Sequence, residues 1–135
     1  MELRAVNNNI DNKSQMGYNL SMTDLKGYIP EIVESLKELD PFKIYMFGSV
    51  AKGTDNQDSD IDLAVILNID DVPKTYDEKL KNKVSVRNSI LDISMEVPID
   101  LLVYTKEEFK ILDELNKPFM TEITEKGTLI YEQVS

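Results

Sequence analysis

The chain has 135 residues, enough for one domain with a real core but not for two, and its 41% hydrophobic and 30% charged composition includes no apolar run long enough to span a bilayer and no signal-peptide segment after Met1. Its net charge of −10, from 25 acidic and 15 basic residues, leaves no basic stripe for a long nucleic-acid backbone and argues against a template-directed polymerase or a DNA-binding module, though not against a nucleotide. With no cysteine and no histidine, disulfides, thiolate sites, the Ser-His-Asp triad and most zinc sites are excluded; chemistry must run through carboxylates, Lys, Tyr or a metal-bound water, and the composition is compatible with a reducing cytoplasm.

Residues 1–20 hold Asn7-Asn8-Asn9, Asp11-Asn12 and few apolar side chains without periodicity, which predicts a flexible arm ahead of a domain over residues 21–135. From Ser21, read as an N-cap with Asp24 three residues on, Leu25, Ile29, Ile32, Val33, Leu36 and Leu39 follow helical spacing. Gly27 and Pro30 allow either a kink or a main segment starting at Pro30, and Asp40-Pro41 ends the helix. Residues 43–47 and 61–67 are short β-branched and aromatic runs between turn formers, and predict two strands joined by a loop with room for a short helix at 50–52. In the second run Ile61, Leu63, Val65 and Leu67 alternate with Ala64 and Ile66, so both faces are apolar and the strand is expected to be central.

After a turn at 68–72, a long helix is expected from Thr75 to about Met95, with Thr75 and Glu78 as a capping box. Its apolar stripe is read as Tyr76, Leu80, Val84, Leu91 and Met95, widened by Ile90 and Ile93, with Lys79, Lys81, Lys83 and Arg87 on a solvated basic side. Residues 97–104 predict a third strand, and Thr105 with Glu108 caps a helix through Leu115. Pro118 interrupts before a short helix to Lys126 with Gly127 as C-cap, and residues 128–132 add a short edge strand. The expected architecture is α/β (α+β): a mixed sheet of three to four strands with helices packed on it.

The chemistry concentrates between the first two strands. Gly48, Ser49 and Gly53 allow backbone to approach an anion closely, and Asp60 and Asp62, two apart at the mouth of a strand, point to one side and can converge on a cation. Asp100 is the one charged residue among Ile99, Leu101, Leu102 and Val103, and an acid buried there needs a partner, a metal or a raised pKa. If the second and third strands are neighbours, the three acids face one another and repel unless divalent cations lie among them; Mg²⁺ suits an all-oxygen set.

Gly48-Ser49, ten intervening residues and Asp60-Ile61-Asp62 resemble the GSx10DxD signature of the nucleotidyltransferase superfamily that includes DNA polymerase beta, and Asp100 looks like its third carboxylate. FGSVAKG, SDIDLAVIL and PIDLLVYT are most similar to the minimal nucleotidyltransferases (the MNT group), over roughly residues 23–132. A DxD or a Gly-Ser alone is a weak signal; the fixed spacing between two strands, with one acid in a later strand, is what carries the resemblance. It implies a polymerase beta-like nucleotidyltransferase fold and an Mg²⁺-dependent transfer of a nucleoside monophosphate, AMP from ATP or another from its triphosphate, to a hydroxyl acceptor. Gly48 and Ser49 are then implied to hold the β- and γ-phosphates, Asp60 and Asp62 to ligate two Mg²⁺ ions, and Asp100 to share the second ion and help deprotonate the attacking hydroxyl. Lys52 stands where the family often carries Arg or Lys and either neutralises phosphate or is a surface lysine. Ser59 either caps the strand entry or touches phosphate. Gly53, Asp55 and Asp58 are read as turn residues, and Tyr45 and Tyr104 as core.

The resemblance also implies a partner. Minimal members often lack an acceptor-binding domain and act with a separate helical protein of the HEPN type, which would make this chain an antitoxin-like enzyme; association into oligomers is left open. Two alternatives are a small-molecule, antibiotic-type nucleotidyltransferase and a non-catalytic partner-binding module that retains the fold. A response-regulator phosphoacceptor domain fits less well, because Asp60 begins a strand and no suitably placed Lys follows.

Overall fold

Four strands, β1 (Pro41–Phe47), β2 (Ile61–Leu67), β3 (Ile99–Thr105) and β4 (Thr128–Glu132), form one mixed sheet in the order β3-β2-β1-β4. The computed structural model describes residues 22–134, so the arm over residues 1–20 and the N-cap at Ser21 lie outside the described residues. β1 runs antiparallel to both β2 and β4, while β2 and β3 are parallel. Parallel neighbours need a crossover, and here it is helical: α3 (Tyr76–Ser89) and α4 (Leu91–Ser94) return the chain to the start of β3.

The other helices are α1 (Ile29–Leu36), α2 (Gly48–Lys52), α5 (Lys106–Glu114) and α6 (Pro118–Thr124). α1 carries Pro30 in its first turn, where no N–H is needed, and lies between 3-10 turns at Met22–Tyr28 and Lys37–Leu39. The main helical segment therefore starts at Pro30's turn. Asp40, in a left-handed conformation at φ 53°, ends this region and turns the chain into β1.

The period-two pattern of β2 places a core on each face of the sheet. Ile61, Leu63, Val65 and Leu67 join Ile44 and Met46 against Ile32 and Leu36 of α1, Val50 of α2 and Val86, Ile90 and Ile93 of the crossover. Ala64 and Ile66 join Tyr45 against Phe109 of α5 and Met120 and Ile123 of α6. β2 is the central strand that its alternation predicts, and every side chain from Leu63 to Leu67 is buried.

Three local expectations change. The long helix breaks at Ile90, and its buried side is Val86, Ile90 and Ile93 rather than the Tyr76-Leu80-Val84-Leu91-Met95 stripe, all five of which are exposed. Both sets have helical spacing; the sheet selects the β-branched one. At Thr75 the capping box is half made: the Thr75 hydroxyl accepts from the Glu78 N–H, but the Glu78 carboxylate accepts from the Lys74 N–H. The full box forms at Thr105 and Glu108. Gly127 is not a left-handed C-cap, since α6 ends at Thr124. It is a close-packing glycine: a Cβ there would overlap the Ile123 carbonyl oxygen and sit 2.8 Å from that of Met46.

Candidate active site

The parallel register pairs Asp62 with Asp100, and the antiparallel register on the other side pairs Asp62 with Phe47. Because alternate residues share a face, Asp62 lies on the same side as Ala64 and Ile66, and Asp100 on the same side as Leu102 and Tyr104. That is the α5/α6 side, and the cover of those helices starts one step further along the strands. The acids therefore sit just beyond the end of a core, in reach of solvent.

Asp62 is half-buried, whereas Asp60 and Asp100 are exposed. The expectation of a buried Asp100 is thus corrected: β3 is an edge strand, and Asp100 stands near its open start. Burial strain falls instead on Asp62. Its carboxyl is raised from the ordinary 3.8 to about 6, first by desolvation and then by the neighbouring charges of Asp100 and Asp60. This residue senses the other two, and it is where added positive charge would be most stabilised.

Gly48 explains why the turn out of β1 needs glycine. Its φ is 76°, a region that costs an L side chain energy, and a Cβ on it would overlap the Asp62 Oδ2 and lie 3.1 Å from the Asp62 Cγ. The Asp62 carboxylate packs directly over this backbone. α2 follows at once and ends at Gly53, whose φ of 75° makes it the left-handed cap that a turn residue predicts.

The rest of the loop is tied together by hydroxyls. The Ser49 hydroxyl donates to the Ser59 Oγ at 3.0 Å, and that oxygen also accepts from the Asn56 N–H at 2.9 Å. The Ser59 N–H returns a bond to the Asn56 carbonyl, and the Asn56 side chain accepts from the Asp58 N–H at 2.8 Å. Ser59 therefore joins the turn before β2 to Ser49 on α2. Asp58 is a turn acid as expected, while the Asp55 Oδ2 is buried with no hydrogen-bond partner among the described residues. Ile61 N–H donates to the Pro98 carbonyl at 3.0 Å, which clamps the two acid-bearing strand starts together.

Lys52 is not an isolated surface lysine. Its ammonium lies 2.6 Å from the Glu122 carboxylate of α6, and the hydrogen bond from Lys52 holds Glu122 below the usual carboxylate range. Sequence reasoning missed Glu122, because nothing local links residues 52 and 122 before α6 packs on β1. It also missed Asn56, which its place three residues before Ser59 in a Gly/Asp/Asn-rich turn could have suggested. Tyr45 and Tyr104 stay core residues: both rings pack on Phe109.

The donor set of Asp60, Asp62 and Asp100 is all hard oxygen, which fits Mg²⁺, and a cation would relieve the repulsion from Asp100 and Asp60 that adds to desolvation in raising Asp62. Among the described residues, however, no three acidic side chains converge closely enough to hold a metal as they stand. The expected three-acid cage is thus not preformed, and a cation here would need oxygens from outside the chain, as Mg²⁺ commonly takes from water and phosphate. A separate concavity of about 380 Å³, lined by Ile69, Val72, Pro73, Lys81 and Thr105, opens at the opposite ends of β2 and β3. No helix among the described residues is long and apolar enough to cross a membrane.

Two acids side by side on parallel strands, with a Gly-Ser turn folded over one of them, form a layout suited to nucleotide-phosphate transfer. The model of the family described as Polymerase beta, Nucleotidyltransferase matches residues 30–135, and the chain belongs to that family. The expected fold and the expected superfamily are both borne out. Among solved structures, a toxin-antitoxin with AMP-PNP is 19% identical with a TM-score of 0.52, over 78% of this chain and 73% of that one. A candidate nucleotidyltransferase from Sulfolobus solfataricus is 18% identical with a TM-score of 0.52, over 87% of this chain and 94% of that one. At such identities the likeness is one of fold. No curated protein matches the chain.

Proposed function

We propose that residues 21–135 form an Mg²⁺-dependent nucleotidyltransferase domain that moves AMP from ATP onto a hydroxyl of a partner protein, as the antitoxin-like member of a pair with a helical, HEPN-type protein. The observation that carries this reading is the Asp62–Asp100 pairing beneath Gly48. A toxin-antitoxin with AMP-PNP has the same fold, which supports an adenine nucleotide and a protein partner.

In this reading Asp60, Asp62 and Asp100 would hold two Mg²⁺ ions, which when bound neutralise phosphate oxygens and make the acceptor hydroxyl more acidic. Gly48 and Ser49 present backbone N–H groups and a hydroxyl to the phosphates, and Ser59 keeps Ser49 in place. Lys52, held by Glu122, adds positive charge at the end of the loop. Asp100, exposed and next to Asp62, takes part in removing the proton of the acceptor hydroxyl. A bond forms from the acceptor oxygen to the α-phosphorus, the bond to the bridging oxygen breaks, and pyrophosphate leaves. A cytoplasmic setting supplies both ATP and Mg²⁺.

The test is labelling of acceptor protein in lysate from the source of the chain, with Mg²⁺ and ATP labelled at either the α- or the γ-phosphate. Transfer of the α-label only is expected, with a loss of about a hundredfold or more in Asp60→Ala/Asp62→Ala. Equal labelling by the two proteins, no labelling by either, or transfer of the γ-label would overturn the reading.

A further inference from the structure

Helix α3 carries an apolar row that the fold does not use. Val86 is its buried residue, whereas Tyr76, Leu80 and Val84 are 76%, 42% and 43% exposed. Spaced four apart, these three stack along one side of the helix. Leu91 and Met95, also exposed, follow in the next turns. A single exposed apolar residue is ordinary, but a row along one helical connection marks an interaction surface.

The row has basic flanks. By helical periodicity Lys83 and Arg87 lie on one side of it, which is the more basic, and Lys81 lies on the other, one turn after Asp77. None of these three makes an ion pair among the described residues. Lys79 is already engaged, 2.5 Å from Glu108 and over the Tyr104 ring. In a chain of net charge −10, α3 thus holds uncommitted positive charge around an apolar centre.

That combination selects the occupant. A second copy packed antiparallel about a two-fold axis between Leu80 and Val84 would set the Lys83 flank of one copy against the Lys83 flank of the other, and like charges across an interface are unfavourable. Nucleic acid would use the cations but not the apolar row between them. An amphipathic helix with an apolar stripe and acidic flanks uses both.

We infer that α3 is the docking surface for such a helix of a partner protein: its apolar stripe seats on Tyr76, Leu80 and Val84, and its Asp and Glu side chains pair with Lys81, Lys83 and Arg87. This rests on the reading that the chain works with a partner protein, and it specifies the contact chemistry of that partner. Val86, Ile90 and Ile93 pack on the face of the sheet opposite Asp62 and Asp100, so a helix docked on α3 leaves the acids open to substrate.

The test uses the full chain without nucleotide and three synthetic helices as probes. One has a leucine stripe flanked by glutamates, one has the same stripe flanked by lysines, and one is the glutamate peptide scrambled. Fluorescence anisotropy should show the glutamate-flanked helix binding, more weakly at high salt, and the other two binding about tenfold less tightly or worse. Leu80→Gln/Val84→Gln should lose about tenfold in affinity, and Lys81→Glu/Arg87→Glu should prefer the lysine-flanked probe. All four positions are exposed, and circular dichroism checks that the fold is kept. Equal binding of the three probes, unchanged binding by Leu80→Gln/Val84→Gln, or tighter binding of a short duplex oligonucleotide would overturn the inference. So would a dimer in sedimentation that Leu80→Gln/Val84→Gln abolishes. Loss of labelling with intact docking removes the enzyme reading alone; loss of docking with intact labelling removes this surface alone.

Discussion

Gly48 and Gly53 have nearly the same backbone, φ 76° and 75°, but different surroundings, and the pair separates strain from site geometry. An alanine at either position pays for the left-handed conformation, about 1–2 kcal/mol. At Gly53 nothing lies within 4 Å of the added Cβ, so that is the whole cost. At Gly48 the added methyl overlaps the Asp62 carboxylate. A carboxylate at the end of a short side chain can rotate away, so the clash adds little to the loss of stability. It does move the one acid that faces both others, and displacing a reacting group by about 1 Å can cost about a hundredfold in rate. Urea unfolding should therefore give similar losses for Gly48→Ala and Gly53→Ala, while the proposed AMP transfer, followed in single turnover, should fall about a hundredfold in Gly48→Ala and only a few-fold in Gly53→Ala. Equal loss of transfer in the two variants would show that Asp62 is not positioned by Gly48.

Asp62→Asn tests the charge cluster in chelator, without metal. The folded chain keeps Asp62 protonated up to about pH 6 while the unfolded chain ionises near 3.8, so the stability it contributes is present below 3.8 and lost as pH rises through about 6. The full difference corresponds to about 3 kcal/mol, which solvent screening at a half-buried group reduces to about 1–2 kcal/mol. Asp62→Asn should accordingly be more stable than wild type by that amount at pH 7 and equal to it below pH 4; a constant gain at all pH would refute the electrostatic cause. Gly127→Ala makes the opposite comparison to Gly48→Ala, because its Cβ meets backbone carbonyls of Ile123 and Met46 that cannot rotate away. It should lose about 1–3 kcal/mol in urea unfolding with β4 disturbed first, and a neutral result would mean that α6 and β1 can separate freely.

Much of this molecule was legible locally. The alternation in residues 61–67 identified a central strand, the Thr105–Glu108 spacing identified a capping box, and Gly48-Ser49 with Asp60 and Asp62 marked the loop where chemistry concentrates. These signals depend on backbone period, side-chain reach to a neighbouring N–H and turn stereochemistry, all of which act within a few residues. Two apolar rows on one helix have the same period, so spacing could not say that Val86, Ile90 and Ile93 go inward and Tyr76, Leu80 and Val84 stay out; the shape of the sheet beneath them decided it. Lys52 found Glu122 only because α6 packs on β1. The residue types of the acid site and its loop are thus written in the chain itself. Which acid carries the strain was settled by the pairing of β2 with β3, which lays Asp62 beside Asp100 over Gly48 while the open edge leaves Asp100 in water.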